Sequence, residues 1–374
     1  MTTSSTNGFT YPTTDEMDNN TAQRLVKECA TLIIEDIPMG TEFGIDLNVN
    51  NIGDHFMGVK MIAPGLHFIY YSSVSKDGTV GPRSGFFRFF KPQELVVRKW
   101  HQFDEDIDEE YTDSVQYQRY KDNVSNGSMD VYLAVYQFST YADWVGLTDY
   151  ITDSLFNRIN PKSGKILSVT HLITKSGKNL DKNIIEKDSE GLLVMERDPN
   201  AVINFSELPK HFLYPQNSSA TQVSQHSMDS SYTMETIASR CEQIESLLGE
   251  LQFSFITFLV GHIFDSFDYW KQLLKILCFS EKSIIKYTDF YLNFIRVLHF
   301  QLKQTPHELF ADIVENNNFL VVFLRQFFFN IDSNDVNEVL RNRGQRFRKF
   351  LTKTFKWDFV SQQEDEEPTI VDIN

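Results

Sequence analysis

The residues of this chain whose types and spacing could do chemistry form near-matches to known motifs. Asp104, Asp106 and Asp108 have the alternate spacing of the first three ligands of a calcium loop. The sixth position of such a loop needs glycine for its sharp turn and here is Glu109; the twelfth needs a bidentate glutamate and is Val115. The acidic run therefore reads as a solvated loop. Gly164-Lys165 and Gly177-Lys178 look like the end of a phosphate-binding loop. Neither has the earlier glycine of that motif, and Ile166 and Asn179 stand where a hydroxyl would hold magnesium. There is no GxSxG and no HExxH. The nine histidines are scattered; His67 in a strand pattern and His262 in a helical one read as core or surface residues rather than ligands. Cys29, Cys241 and Cys278 lie far apart without a CxxC pair. They read as reduced, mostly buried thiols, not a zinc site or a disulfide framework. No nucleophile is paired with a base in the sequence. The expectation is a non-enzyme with no cofactor and no metal; a hydrolase whose site assembles only in space is the alternative.

Two charged segments carry more. Arg341, Arg343, Arg346, Arg348, Lys349, Lys353 and Lys356 have no acid among them, and Leu340, Phe347, Phe350 and Leu351 recur at helical spacing. One face of that helix is buried and the other is positive. It is either a solvated face or a patch for an acidic partner or RNA. The formal net charge of −16 argues against a general nucleic-acid binder but allows a local basic patch. Beyond the acidic run at 364–367, Pro368 opens a segment, Thr369, Ile370, Val371, Asp372 and Ile373, of high β-propensity and no evident place in a helical domain. They read either as a frayed tail or as a strand offered to a partner's sheet edge. Backbone hydrogen bonds at about 1 kcal/mol each do not offset ordering costs of about 1–2 kcal/mol per residue. Pockets for Ile370 and Ile373, or a second contact elsewhere, must tip the balance. Ser227 and Ser230, in a serine- and glutamine-rich stretch at 214–231, are candidate phosphorylation sites that would change partner choice.

The elements that must position these residues divide the chain in two, as its 374 residues lead one to expect. Residues 1–20 are polar, lack an apolar run after a basic start, and read as a disordered leader rather than a signal peptide. Short apolar runs at 30–36, 58–62, 66–73, 86–90, 95–100 and 131–138 predict strands at meander spacing, all-β over roughly 21–140, within a β-rich domain of 21–160. Ala63-Pro64-Gly65-Leu66 has the signature of a type II turn. From Tyr141 the apolar period changes to three and four residues, which predicts a helix. Residues 161–231 read as a connecting segment ending in the serine-rich linker. Residues 232–359 read as a helical domain. Its signals include a helix capped by Ser280 and running to Leu302, and a capping box at Thr305-Pro306-His307-Glu308. Residues 360–374 form the tail. The richest apolar run, 253–260, is too short to span a bilayer.

Several blocks in order carry a resemblance: GTEFGID at 40–46, GVKMIAPGLHFIYYSS at 58–73, GPRSGFF at 81–87 and YADWVGLTDYIT at 141–152. They continue with GELQFSFITFLVGHIFDSFDYWKQLLKILCFSE at 249–281, DIVENNNFL at 312–320 and FLTKTFKWDF at 350–359. The chain resembles the A1–alpha2-repression family of U5 small nuclear ribonucleoprotein assembly factors. The resemblance implies an α+β multidomain fold, with a β-sandwich-like N-terminal domain followed by an all-α domain similar to the VHS superhelix. It implies no enzymatic activity, no membrane, no cofactor and no sequence-specific nucleic acid. The implied partner is the large scaffold protein of the U5 particle, gripped through its RNase H-like and MPN-like domains in the precursor particle. Helicase and RNA would be delayed until assembly has progressed, with the segment from Pro368 adding a strand between the two gripped domains. The implied location is cytoplasm and nucleus. The competing reading is a VHS-like trafficking adaptor that binds sorting peptides.

Overall fold

The computed structural model describes residues 3–6, 9–75, 77–107, 113–169, 172–174, 195–306 and 319–359. The chain divides into two compact units: Met1–Asn204 with Ile256–Asp265, and Phe205–Phe255 with Ser266–Asn374. The first is β-rich and the second helical.

Ten strands of the β-rich unit build two five-stranded sheets. One has the order β10(Asp106–Ile107)-β9(Leu95–His101)-β3(Ala30–Glu35)-β6(Gly58–Ile62)-β11(Leu133–Val135). The other has the order β12(Ile166–Leu167)-β8(Ser84–Phe90)-β7(Gly65–Ser72)-β4(Glu42–Ile45)-β5(Asn48–Asn51). Two separate pairs, β1(Thr3–Thr6) with β2(Phe9–Pro12) and β13(Leu172–Thr174) with β14(Met195–Arg197), complete the strands. The meander expectation fails. β3 runs parallel to β9, and β6 parallel to β11. The chain leaves the first sheet after β6, builds β7 and β8 in the second, and returns as β9.

Burial explains both the sequence pattern and the error. Leu32, Ile34, Val59, Ile62 and Val96 of the first sheet share one core cluster with Phe43, Ile45, Ile69, Tyr71 and Phe86 of the second. The other face of the first sheet is covered too. There Ile33, Leu95 and Val97 meet Tyr120 from α2(Ser114–Ser125). β3 is therefore buried at every residue, and its sequence, ATLIIE, does not alternate. The region expected to be all-β thus contains α2 and also α1(Asn19–Glu28), whose first turn is capped by Asp18 accepting from Thr21 N at 2.9 Å. Tyr11 of β2 is 1% exposed in the same core, stacked on Phe138, where a disordered leader was expected.

Three local readings change for physical reasons. The strand expected over 131–138 contracts to β11, because the chain turns into a 3-10 segment at Phe138–Thr140. The following helical period splits into α3(Tyr141–Thr148) and α4(Asp153–Ile159), the second capped by the Thr152 hydroxyl. At Ala63-Pro64-Gly65-Leu66, Gly65 takes φ +140° rather than the type II value near +80°. The Ala63 carbonyl there accepts from the His67 ring, and the Leu66 carbonyl from Trp144 Nε1–H at 2.7 Å.

The helical unit starts earlier than residue 232, because Phe205 stacks on Tyr269 at 4.1 Å and Ser206 bonds Glu250. Its helices are α5(Ala220–Met228), α6(Ser231–Ala238), α7(Ser246–Leu259), α8(Phe264–Cys278), α9(Glu281–Lys286), α10(Thr288–Gln304), α11(Phe319–Ile331) and α12(Glu338–Phe355), with the division between units falling inside α7 and α8. The serine-rich linker is in part a helix: α5 carries a full capping box, Gln222 N–H to Ser219 Oγ and Ser219 N–H to Gln222 Oε1. The single helix expected from Ser280 breaks at Tyr287 into α9 and α10. The Ser280 hydroxyl does not cap it but donates back to Ile276 O. Thr305 likewise donates to Gln301 O at the end of α10; His307 and Glu308 of that capping-box signal lie outside the described residues.

The glycines of the GTEFGID block are not all turn residues. Gly40 has φ +87° and does make a turn. Gly44 lies within β4, where a Cβ would come 2.1 Å from Tyr70 Cζ. The Tyr70 ring cannot easily retreat, since it stacks on Phe68 and lies under the Arg83 guanidinium at 4.6 Å. Gly44→Ala is expected to cost about 1–3 kcal/mol through overpacking. A urea titration that leaves the midpoint at the wild-type value would contradict the close approach.

Candidate functional site

Among the described residues of the β-rich unit is a buried Asp–His pair with catalytic-looking geometry. His67 Nδ1 lies 2.6 Å from Asp46 Oδ2, and Nε2–H donates to Ala63 O at 2.7 Å. Asp46 also accepts from Tyr136 O–H at 2.7 Å and from Phe68 N–H at 3.0 Å. In a hydrolytic triad the second ring nitrogen faces the nucleophile. Here it is engaged by a backbone carbonyl, and His67 and Asp46 are 1% and 0% exposed. The pair has no route to a substrate and acts as a polar clamp within the core. Burial, together with the neighbouring Asp46 charge, pushes the Tyr136 hydroxyl well above the usual phenol range, so it remains a donor.

The other near-motifs are drawn into structural contacts. Asp106 accepts from the Tyr71 hydroxyl and pairs with Lys165, while Asp104 pairs with His101 at 2.9 Å. The second phosphate-loop look-alike and Asp108 lie outside the described residues. Among the described residues no group of three or more His, Cys, Asp or Glu is placed to hold a metal ion. No described helix is long and apolar enough to cross a membrane. Arg83 of the GPRSGFF block bonds Glu42 at 2.5 Å and the Val260 carbonyl at 2.8 Å, which ties β8's approach to the 256–265 segment of the same unit.

A groove of about 440 Å³ with chemical character lies on the helical unit. α10 contributes Ile295, Arg296, His299 and Phe300; α12 contributes Arg343, Arg346, Phe347 and Phe350. Its lining holds three guanidinium groups and no carboxylate. His299 packs on Phe350 with ring centroids 4.4 Å apart. α12 forms because Asn337 caps it, accepting from Val339 N at 2.8 Å, and because Leu340, Phe347 and Leu351 bury one stripe. A second recess of about 350 Å³ lies between β5 and β11, with Phe43, Ile45, Ile52 and Val59 beneath a rim of Asn48, Asn50 and Gln137. It carries no charge.

The basic patch expected from the sequence is only partly available. Arg341 Nη2 donates to the carbonyls of Ser333, Asn334 and Val336, holding the loop ahead of α12. Arg348 pairs with Asp332 at 2.9 Å and lies over Phe328. Arg346, Lys349 and Lys353 are exposed, as is Arg343. Sequence reasoning missed Arg296, His299 and Phe300, because α10 shows no basic run of its own; an Arg and a His three residues apart on a helix were the available signal. Of the candidate phosphorylation sites, Ser227 is exposed on α5, whereas Ser230 is fully buried ahead of α6 and closed to a kinase in this conformation. Pro368, Thr369, Ile370, Val371, Asp372 and Ile373 lie outside the described residues.

Fold and groove together define a two-unit α+β protein, a β-rich unit with a sealed polar core followed by a helical unit with a basic, aromatic-lined groove. A model of the AAR2 N-terminal domain matches residues 28–161, and one of the AAR2 C-terminal repeat region matches 205–360. The chain is 37% identical to the human Protein AAR2 homolog over 376 residues, covering 96% of this chain and 97% of the relative. It is 38% identical to the mouse Protein AAR2 homolog with the same coverage. Identity is 34% to that of Caenorhabditis elegans, covering 88% of this chain and 94% of the relative. The chain belongs to the AAR2 family.

Removing one member of the buried clamp leaves the others without partners. Asp46→Ala is expected to destabilise by about 3–5 kcal/mol, and Asp46→Ala with His67→Ala by less than the sum of the single changes. Additive losses in a double-mutant cycle of urea unfolding would refute the coupling. The thiols make a second check. Burial, reinforced by the adjacent Glu28 charge, pushes Cys29 up to about 12, and burial alone raises Cys278. Cys241 is only half-buried. A chromogenic disulfide reagent is expected to titrate Cys241 alone in the native protein and all three cysteines after unfolding. Rapid native reaction of Cys29 or Cys278 would show that its thiol is reachable.

Proposed function

We propose that this chain is a non-enzymatic assembly factor of the U5 small nuclear ribonucleoprotein in pre-mRNA splicing. The observation that carries this reading is AAR2-family membership spanning both units, at residues 28–161 and 205–360. Family membership supports the role in U5 particle assembly. The finer reading is that the chain binds the RNase H-like and MPN-like domains of the large spliceosomal scaffold protein in the precursor particle, acts as its chaperone, and delays helicase and RNA binding. The helical unit would be a VHS-like superhelical platform, and the site of action cytoplasm and nucleus. Pro368, Thr369, Ile370, Val371, Asp372 and Ile373 would add a strand to the partner's sheet, with Ile370 and Ile373 in pockets.

The tagged chain is expected to capture the scaffold protein in a particle that lacks the helicase. Recovery with the mature, helicase-bearing particle instead would overturn the assembly role. Deleting residues 368–374 is expected to weaken scaffold binding by about tenfold or more, equivalent to 1.4 kcal/mol. Calorimetry showing unchanged affinity would reject the strand and leave the assembly role standing.

A further inference from the structure

The groove between α10 and α12 concentrates positive charge on a chain with a formal charge of −16. Arg343 and Arg346 are exposed there, and neither guanidinium makes a hydrogen bond or ion pair with the described residues. This separates them from Arg341 and Arg348, which are held by backbone carbonyls and by Asp332. Two exposed guanidinium groups in a groove lined by Phe300, Phe347 and Phe350, with Arg296 contributed by α10, fit a short run of carboxylates.

The same chain carries such a run close by. α12 ends at Phe355, and Lys356 takes a left-handed conformation, φ 61° and ψ 22°, that turns the chain out of the helix. Trp357 and Phe359 then return to the helical core and are buried. Phe359 packs on Phe328 with centroids 5.0 Å apart, and Phe328 packs on Phe347 of the groove at 6.1 Å. The chain therefore passes the last described residue two ring contacts from the groove floor. Glu364, Asp365, Glu366 and Glu367 follow after four intervening residues. An extended chain of that length reaches on the order of 15 Å.

We propose that Glu364, Asp365, Glu366 and Glu367 dock in the groove between α10 and α12 of their own chain, against Arg343, Arg346 and Arg296. Exposed ion pairs are individually weak. A tether this short supplies a local concentration on the order of millimolar, so a weak contact is populated without a partner. The docking is independent of the assembly role. Combined with that role, it holds the segment from Pro368 against the helical unit until a partner's sheet edge competes for it.

The experiment uses the full chain without any partner. A nitroxide is attached at Thr369→Cys in a Cys241→Ser background, and the isoleucine methyl groups are observed by NMR. Ile295, which lines the groove, is expected to lose its methyl signal. The signal should return with Arg343→Glu and Arg346→Glu, with Gln or Asn replacing the four acids, and at an ionic strength of about 1 M, where the screening length is about 3 Å. Placing lysines at 364–367 in the Arg343→Glu, Arg346→Glu chain should restore the loss. The other isoleucine methyls report whether each variant is folded. An undiminished Ile295 signal, or a loss that ignores both sets of charges, overturns the proposal. So does an Ile295 signal that moves only when an acidic peptide or single-stranded RNA is added, which would assign the groove to a partner in trans.

Discussion

Asp46 is a carboxylate with no exposure to solvent, and the β-rich unit is arranged around satisfying it. A buried, unpaired carboxylate is among the costliest groups a core can contain. Asp46 avoids that cost by accepting from the His67 ring, the Tyr136 hydroxyl and the Phe68 backbone. Asp46 and these partners come from three places. Asp46 follows β4 in a left-handed conformation at φ 57°, His67 and Phe68 belong to β7, and Tyr136 follows β11 of the opposite sheet. The His67 ring continues the chain of bonds to Ala63, where the backbone crosses between the sheets. One carboxylate thus fixes the turn after β4, the crossover from β6 to β7 and the end of β11 together.

The helical unit repeats the device with neutral groups. Trp270 Nε1–H donates to Gln301 Oε1, and Gln301 Nε2–H donates to the Leu251 carbonyl, so α7, α8 and α10 share one buried amide. Asn330 joins α11 to the Cys278 carbonyl at the end of α8. Glu250, fully buried on α7, is held by Ser206 and the Tyr269 hydroxyl. Each bond specifies helix register more than it adds stability, because the apolar stripes already drive association. With α10 fixed in this way, Arg296 and His299 face Arg343 and Arg346 across a groove, and charge that is scattered in sequence becomes one surface.

Much of this was legible in the sequence where a residue's environment is set by near neighbours. β3, β6, β7, β8 and β9 and most of the long helices followed from apolar periodicity. What escaped was set at a distance. α1 and α2 are polar helices with few buried residues, so they carry little periodic signal until a sheet face recruits Leu25 or Tyr120. Parallel pairing of β3 with β9 depends on strands sixty residues apart and leaves no local trace. The serine-rich stretch reads as a linker by composition, yet Ser219 and Gln222 make a capping box. The basic patch was legible as a charge run, but only the fold reveals that Arg341 and Arg348 are occupied and that Arg296 lines one groove with Arg343 and Arg346.

The sequence by itself determined the two-part organisation, the family, the strand and helix cores and the isolation of the catalytic look-alikes, because periodicity, turn chemistry and motif spacing are properties of adjacent residues. Tertiary structure alone decided the roles of particular polar groups. Asp46 and His67 could have been a dyad until Nε2 was found against Ala63 O. Arg343 and Arg341 are indistinguishable in sequence, two residues apart on one helix. Rotation by 100° per residue sends one onto backbone carbonyls and the other into an open groove.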